Sequence, residues 1–281
     1  MLFRSVSYHC FNCGFKASYT PGRTLSFKFR KLLNWLGADA NEVRRLVVEA
    51  LRVKDLVKPE DVKEPEEQIS FEKRALPEQA QSFWALAEFY RLGDYKATPQ
   101  LFLDAVNYIT ERKISAADYE FYWTPEVENK LNHRVIVPFY YQNEIVGYTA
   151  RALVDGIKPK YHSNHPAHFV FNLDRQKPDS KFVIVVEGPF DAMAIDGVAI
   201  MSNECSEVQA DIIDSLGREV IVVPDADRAG SRLIDQAVEY GWTVSFPDWL
   251  SKYKDVSEAT VALGKLFVIK TILEAKQSSR L

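Results

Sequence analysis

Three carboxylates follow two apolar segments of the chain. Glu187 comes directly after the apolar run 182–186, and Asp225 and Asp227 follow the apolar run 220–223. Val- and Ile-rich runs of this length, bounded by Gly and Pro, predict buried strands. Side chains two residues apart in extended chain point the same way, so Asp225 and Asp227 share a face. Carboxylates gathered in one crevice repel each other, and oxygen ligands suit Mg²⁺, so the set predicts a divalent metal site. Each acid alone is equally consistent with helix capping or hydration.

The elements that must position these acids follow one another as strand, helix and strand. A helical pattern occupies residues 191–215, with a short apolar stretch at 198–201 that is a candidate strand. This order predicts a parallel sheet and an α/β fold, in which ligands sit at the carboxyl ends of the strands. Farther along we expect a helix at 230–240, a strand at 243–246 and a last helix near 261–275.

Two short motifs carry a resemblance to a known family. The segments VEGPFDAM (186–193) and VPDADRAG (223–230) resemble the two motifs of the Toprim domain, which occurs in bacterial DnaG-type primases, phage primases, topoisomerases and some nucleases. The segment KDVSE (254–258), with Asp255 and Glu258, is a looser match to the acidic segment that follows in primases. The resemblance implies that Glu187, Asp225 and Asp227 are catalytic. It implies that Mg²⁺ or Mn²⁺ is held by Glu187, Asp225, Asp227 and Asp255. Whether Glu187 is a ligand or a general base stays open.

A predicted hairpin, which precedes the acids in the chain, carries basic residues. Residues 134–151 alternate between apolar and polar, with a turn at 142–144, and the segment KPKYHSN (158–164) follows. In primases the similar hairpin handles the template strand and the incoming nucleotides. The resemblance therefore assigns substrate or DNA phosphate contacts to Arg134, Arg151 and Lys160, and in second place to Lys158 and His162. An Arg fork grips phosphate in a bidentate manner and Lys supplies a point charge, although ordinary surface charge is the alternative.

Cys10 and Cys13 form a Cys-x-x-Cys with a glycine after it, which is typical of one knuckle of a zinc ribbon. In phage primases a first Cys pair precedes a second, and this pair resembles the second one. The zinc ligand set is incomplete in this sequence. The remaining cysteine, Cys205, lies inside the predicted parallel-sheet domain and is better explained as a small buried apolar residue.

The chain divides into four parts on composition and resemblance. Helical patterns at 27–36 and 41–52 follow the Cys motif, with Asn41 as a candidate N-cap, and a stretch rich in Lys, Glu, Asp and Pro then predicts a flexible linker that lets the first module move. The predicted divisions are a partial zinc-ribbon and helical module (1–54), a linker (55–76), an α+β N-terminal subdomain of a primase core (77–178) and a Toprim parallel-sheet domain (179–281).

Composition excludes some classes of protein. The 281 residues are 47% hydrophobic with a net charge of −4, and no apolar run approaches the length of a membrane span. Three cysteines and the absence of a long apolar leader favour a reducing compartment, the cytoplasm of a bacterium or an infected host. The negative charge does not indicate nucleic-acid binding, but a local basic groove is compatible with it.

Together the motifs resemble a DNA primase of the tailed-phage or bacterial DnaG type. This implies a nucleotidyltransferase, a DNA-directed RNA polymerase that makes short RNA primers on single-stranded DNA from ribonucleoside triphosphates. The sequence has no Gly-x-x-x-x-Gly-Lys-Ser/Thr loop, so we expect the replicative helicase to be a separate polypeptide. The alternatives are a Toprim nuclease, a non-catalytic nucleic-acid-binding replication adaptor and a phosphatase built on Asp-x-Asp.

Overall fold

Three β-sheets organise the protein in the computed structural model, which describes residues 5–13, 15–23, 25–56, 69–91, 99–125, 130–226 and 230–277. A two-stranded hairpin comes first, a five-stranded antiparallel sheet follows, and a five-stranded, mainly parallel sheet ends the chain. Within these ranges, no helix has both the length and the apolar character needed to cross a membrane.

The N-terminal part contains a hairpin and two helices. Strands β1 (Val6–His9) and β2 (Lys16–Tyr19) pair antiparallel around the Cys-x-x-Cys turn. Helix α1 (Phe27–Trp35) begins at Ser26, whose hydroxyl accepts a hydrogen bond from the Phe29 N–H, and α2 (Ala40–Leu56) follows.

The start of α2 differs from the prediction. Asn41 lies inside the helix, and the Asp39 carboxylate accepts hydrogen bonds from the N–H groups of Asn41 and Glu42. The Glu42 carboxylate in turn accepts from the Asp39 N–H at 2.9 Å. Asp39 and Glu42 thus form a capping box, in which each carboxylate accepts a hydrogen bond from the backbone N–H of the other residue.

The antiparallel-sheet unit, residues 81–164, has its five strands in the order β3-β4-β5-β6-β7. Its elements are β3 (Gln81–Ser82), α3 (Phe83–Arg91), α4 (Gln100–Glu111), β4 (Tyr122–Trp123), β5 (Arg134–Tyr141), β6 (Glu144–Ala152) and β7 (Tyr161–Asn164). The predicted hairpin is confirmed, and its turn residues Gln142 and Asn143 have φ of 50° and 63°. Two central residues with positive φ match the twist of the strands they join.

The parallel-sheet unit, residues 182–277, has the strand order β12-β11-β10-β8-β9, and only the edge strand β12 runs antiparallel. Its elements are β8 (Phe182–Val186), α5 (Pro189–Ile195), β9 (Val198–Ala199), α6 (Glu207–Asp214), β10 (Glu219–Val222), α7 (Gly230–Tyr240), β11 (Thr243–Ser245), α8 (Val256–Leu263), α9 (Lys265–Glu274) and β12 (Lys276–Gln277). The predicted parallel sheet is confirmed, including the short strand near residue 198.

The last predicted helix is wrong in its extent. Two helices, α8 and α9, occupy residues 256–274, and they are separated by Gly264 with φ of +90°. Glycine has no Cβ, so it takes this left-handed conformation without steric cost and ends α8.

The two large sheets share one hydrophobic core. Val135 and Val137 of β5 belong to the same buried cluster as Ile184 and Val186 of β8. The alternate β8 residues Val183 and Val185 are buried in a second cluster with residues of α6 and α7. Burial of β8 on both faces is typical of a central parallel strand and fixes the position of the residue that follows it.

Helix α1 is docked on the parallel-sheet unit. Phe27 lies in the second buried cluster, and its ring meets the Tyr240 ring with centroids 4.5 Å apart. Lys28, Arg30 and Lys31 form ion pairs with Asp211, Asp214 and Glu207 of α6. These contacts give α1 a fixed place, whereas the sequence predicted a mobile module. Most of the predicted linker, residues 57–68, lies outside the described residues.

Candidate active site

Glu187 and Asp225 meet at the carboxyl ends of two neighbouring strands. Strands β8 and β10 pair in parallel with Val185 opposite Val222, so the residues that follow them emerge at the same edge. The Glu187 carboxylate accepts a hydrogen bond from the Asp225 N–H at 3.3 Å. The structure thus brings together two of the three predicted catalytic acids. The third, Asp227, lies outside the described residues.

Asp191 is a further acid that the sequence analysis did not assign to the site. It lies in the first turn of α5, is 8% exposed, and accepts a hydrogen bond from the Ser257 N–H at 2.9 Å. A Cβ atom on Gly188 would lie 2.9 Å from the Asp191 Oδ2, so Gly188 leaves room for this carboxylate. Burial, followed by the negative charges of Asp255 and Asp225, raises the pKa of Asp191 well above its ordinary value. The signal was present in the sequence, since Asp191 belongs to the first Toprim-like motif.

Asp255 is both a neighbour of this cluster and the N-cap of α8. Its carboxylate accepts from the Glu258 N–H at 2.8 Å, and the Glu258 carboxylate accepts from the Lys254 N–H at 3.0 Å. The carbonyl of Lys254 accepts from the Ala226 N–H at 3.1 Å, which ties the loop after β10 to the start of α8. The capping role is therefore visible, and metal ligation by Asp255 stays a prediction.

Arg151, a predicted phosphate contact, lies close to the acids in an aromatic setting. Its Nε–H donates to the Tyr108 hydroxyl at 3.1 Å, and its guanidinium carbon lies 4.9 Å from the centroid of the Tyr161 ring. Its Nη1 is buried and has no hydrogen-bond partner among the described residues. Burial raises the pKa of Tyr161, the charge of Arg151 lowers it and the charge of Asp191 raises it, so these three side chains lie in one neighbourhood.

Arg112 is a second cation of this site that the sequence analysis missed. Its guanidinium carbon lies 4.7 Å from the Tyr108 ring centroid and 5.3 Å from that of Phe190, and Nη1 donates to the Ser257 hydroxyl at 2.8 Å. The positive charge of Arg112 favours the ionised form of Asp191 and so partly offsets the rise in its pKa.

The placement of Arg134 differs from the predicted phosphate contact. Arg134 is 3% exposed, and burial, together with the charge of Arg151, lowers its pKa. Its guanidinium donates to the backbone carbonyls of Lys130, Ala150, Pro159 and Lys160. Since these donors already serve the backbone, Arg134 is a structural residue that ties β5 to the segment before β7. Lys160 has an exposed side chain, and its phosphate contact stays a prediction.

A basic cleft of about 530 Å³ lies apart from the acids. Cross-strand pairing places Arg151 and Tyr161 on the face of the antiparallel sheet opposite His162, which lines the cleft. The cleft is lined by Lys130, Asn132, His133, Arg134, Ile157, Lys158, Pro159 and His162. It holds none of the predicted catalytic residues.

The carboxylates at the strand ends are chemically suited to bind a hard cation. No three His, Cys, Asp or Glu side chains are arranged to hold a metal ion among the residues that the structure describes, which do not include Asp227. Mg²⁺, however, usually takes one or two carboxylates and completes its shell with water and substrate phosphates. Glu187 and Asp225 supply such a pair. Burial and then the charges of Asp255 and Asp225 raise the pKa of Asp191, and a bound cation would offset the repulsion between these carboxylates.

Cys10 and Cys13 lie around the turn of the β1–β2 hairpin, and both are free thiols. Backbone hydrogen bonding at Cys13 and Asn12 lowers the pKa of Cys10, which favours the thiolate that zinc requires. Cys205 is fully buried, and burial raises the pKa of its thiol to about 12, as predicted for an apolar core residue. Zinc binding at Cys10 and Cys13 stays a prediction.

Comparison with known proteins identifies the fold. No family model and no curated protein matches this sequence. A DnaG primase catalytic domain solved with single-stranded DNA is 18% identical, with a TM-score of 0.52 over 68% of this chain and 77% of that one. The RNA polymerase domain of Mycobacterium tuberculosis primase DnaG is 18% identical, with a TM-score of 0.52 over 69% and 82%. The zinc-binding and RNA polymerase domains of Aquifex aeolicus primase are 17% identical, with a TM-score of 0.51 over 97% and 79%. The fold is therefore similar to that of the DnaG primase core.

Proposed function

We propose that this protein is a DNA primase that makes short RNA primers on single-stranded DNA by metal-dependent nucleotidyl transfer, with a Toprim domain at residues 179–281. The observation that carries the proposal is the meeting of Glu187 and Asp225 at adjacent strand ends, beside Asp191 and near the cations Arg151 and Arg112. The similarity in fold to DnaG primase cores supports it.

In the proposed mechanism the acids would hold Mg²⁺ or Mn²⁺ through Glu187 and Asp225, with Asp227 and Asp255 as further ligands. A bound ion would lower the pKa of a ribonucleotide 3′-hydroxyl and neutralise charge on the attacked α-phosphate and the leaving pyrophosphate. The hydrogen bond from the Asp225 N–H to Glu187 fixes the position of one oxygen of that pair. Asp191 anchors the first turn of α8 through Ser257 and so holds Asp255 in place.

The positive side of the site would bind and orient the triphosphate. Arg151 has a buried Nη1 without a partner among the described residues, and a bidentate phosphate contact would satisfy this donor. Arg112 reduces the negative potential at Asp191. Catalysis in this scheme comes from positioning and preorganised electrostatics. A separate replicative helicase and a cytoplasmic location are part of the proposal.

One incubation separates the proposal from its alternatives. Full-length protein is mixed with single-stranded DNA, ribonucleoside triphosphates and Mg²⁺, and the products are resolved by size. New oligoribonucleotides support a primase. Degraded DNA without ribonucleotide incorporation indicates a Toprim nuclease. DNA binding that needs no metal and gives no product indicates a replication adaptor.

A pair of variants on the same sheet tests the site itself. Glu187→Gln removes the charge at the carboxyl end of β8, and we expect synthesis to fall by at least about a hundredfold, as for the loss of one preorganised charge-stabilising group. The matched control is Glu219→Gln at the opposite end of β10, where the carboxylate binds Lys276 on the surface. Full synthesis by Glu187→Gln would remove this residue from the mechanism.

A further inference from the structure

Tyr108 in α4 makes contacts with both cations of the candidate active site. Its hydroxyl accepts a hydrogen bond from the Arg151 Nε–H at 3.1 Å. The face of its ring receives the Arg112 guanidinium at 4.7 Å, within the range of a cation–π contact. Its edge meets the Phe190 ring in a T-shaped arrangement, with centroids 5.6 Å apart. A single half-buried side chain thus contacts two arginines and the residue next to Asp191.

Two aromatic side chains hold the Arg151 guanidinium in place. The Nε–H is engaged by Tyr108, and the Tyr161 ring covers the guanidinium at 4.9 Å. Nη1 is buried and unpartnered among the described residues, an arrangement that costs free energy unless a ligand completes it. Fixing the plane of an arginine in advance reduces the side-chain entropy that is lost when its fork grips a phosphate.

Arg112 connects Tyr108 to the acidic residues of the site. Arg112, which packs on the Tyr108 ring and on Phe190, donates to the Ser257 hydroxyl at 2.8 Å. The backbone N–H of Ser257 donates to Asp191 at 2.9 Å. Contacts between immediate neighbours therefore connect Arg151, Tyr108, Arg112, Ser257 and Asp191 from the antiparallel-sheet unit to the parallel-sheet unit.

We propose that Tyr108 is a positioning residue that holds the plane of Arg151 and the place of Arg112, so that the Nη1 of Arg151, unpartnered among the described residues, receives the triphosphate of the incoming nucleotide beside the carboxylates. This inference rests on the proposed function, because it names the substrate group that Arg151 binds. A purely structural Tyr108 would fill core space, and its hydroxyl would contribute nothing to phosphate affinity.

The test is a double-mutant cycle on the Tyr108–Arg151 hydrogen bond. Magnesium tripolyphosphate is the probe, and its affinity is measured by isothermal titration calorimetry on the full chain. Tyr108→Phe keeps the ring and removes only the acceptor, so we expect affinity to fall about fivefold, the size of one hydrogen bond. Arg151→Lys keeps the charge but has no Nε–H, and we expect a loss of about tenfold or more. Adding Tyr108→Phe to Arg151→Lys should then have no further effect, because the bond is already gone.

A matched control is Tyr140→Phe in β5. The Tyr140 hydroxyl donates to the Glu120 carboxylate at 2.6 Å, so this variant also removes one tyrosine hydrogen bond in the same unit. It should leave tripolyphosphate affinity at the wild-type value. Melting curves of all variants establish that each is folded.

The outcomes separate this inference from the proposed function. Coupled losses in the cycle support the role of Tyr108, even where the wild-type protein makes no primers, a result that would overturn only the proposed function. Independent, multiplicative losses, a Tyr108→Phe variant with unchanged affinity, or no binding of tripolyphosphate by the wild-type protein overturns the inference. If the protein makes primers but the double-mutant cycle shows no coupling, the proposed function is supported and Tyr108 has no role in it.

Discussion

Two aspartates of the parallel-sheet unit, the buried Asp191 and the largely buried Asp214, differ in what surrounds them. Burial is the largest cause that raises the pKa of each. The Asp214 carboxylate accepts from the Phe27 N–H, from the Arg30 guanidinium and from the Trp242 indole N–H. Asp191 accepts from the Ser257 N–H and is flanked by the negative charges of Asp255 and Asp225.

The difference teaches that the neighbouring groups, and not burial, separate the structural Asp214 from the Asp191 of the candidate active site. Asp214 has donors on both oxygens, so it joins α1 to the parallel-sheet unit and has little capacity for a ligand. Asp191 lies in a group of acids at the carboxyl ends of strands, where the remaining negative charge favours a bound cation. The following variants test this contrast.

The largest expected effect is at Asp225, on the functional side of the comparison. Asp225→Asn keeps the size of the side chain and removes one charge, and we expect primer synthesis on single-stranded DNA to fall by at least about a hundredfold. The melting temperature should stay near that of the wild-type protein. Undiminished synthesis would show that this acid takes no part in the reaction.

Asp214→Asn should act on stability instead of activity. Both oxygens accept hydrogen bonds, so an amide NH₂ in either orientation faces a donor and leaves it unpaired. We expect the free energy of unfolding to fall by about 2 kcal/mol, measured by urea denaturation. Synthesis per folded molecule should be unchanged. A loss of synthesis with normal stability would break the contrast between the two aspartates.

Asp191→Asn should raise stability at pH 8, whereas Asp214→Asn should lower it. The raised pKa means that the folded state binds a proton on Asp191 more tightly than the unfolded state, so wild-type stability is lost as pH rises above the ordinary value of 3.8. The amide keeps an oxygen for the Ser257 N–H and carries no charge. In EDTA we expect a higher melting temperature than wild type at pH 8, with the difference shrinking towards pH 4, while synthesis in Mg²⁺ decreases. A lower melting temperature at pH 8 would contradict the electrostatic account.

The smallest effect is expected at Glu207, in the same interface as Asp214. Glu207 pairs with Lys31 at 3.0 Å, but its side chain is 52% exposed. Solvent screens such pairs, so Glu207→Gln should change the free energy of unfolding by less than about 0.5 kcal/mol. A cost as large as that of Asp214→Asn would indicate that α1 is held by its surface charges instead of by Asp214.

Local patterns anticipated much of the fold. The Val- and Ile-rich runs around residues 184 and 221 became central parallel strands, and the hairpin turn at Gln142 and Asn143 was read correctly. The last helix, predicted at 261–275, was wrong at its start, because Gly264 with positive φ separates α9 from α8. Asn41 was wrong as an N-cap because the residue two positions earlier supplies the capping carboxylate.

The sequence by itself determined the strands and the acids that follow Val186 and Val223, because alternation, apolar runs and turn residues are local properties of the chain. Only the tertiary structure decided which charges meet. It directs the Arg134 guanidinium to backbone carbonyls, surrounds Arg151 with Tyr108 and Tyr161, and sets Arg112 beside Asp191. These pairings join residues far apart in the chain, and they depend on how the two sheets share one core, which no local pattern specifies.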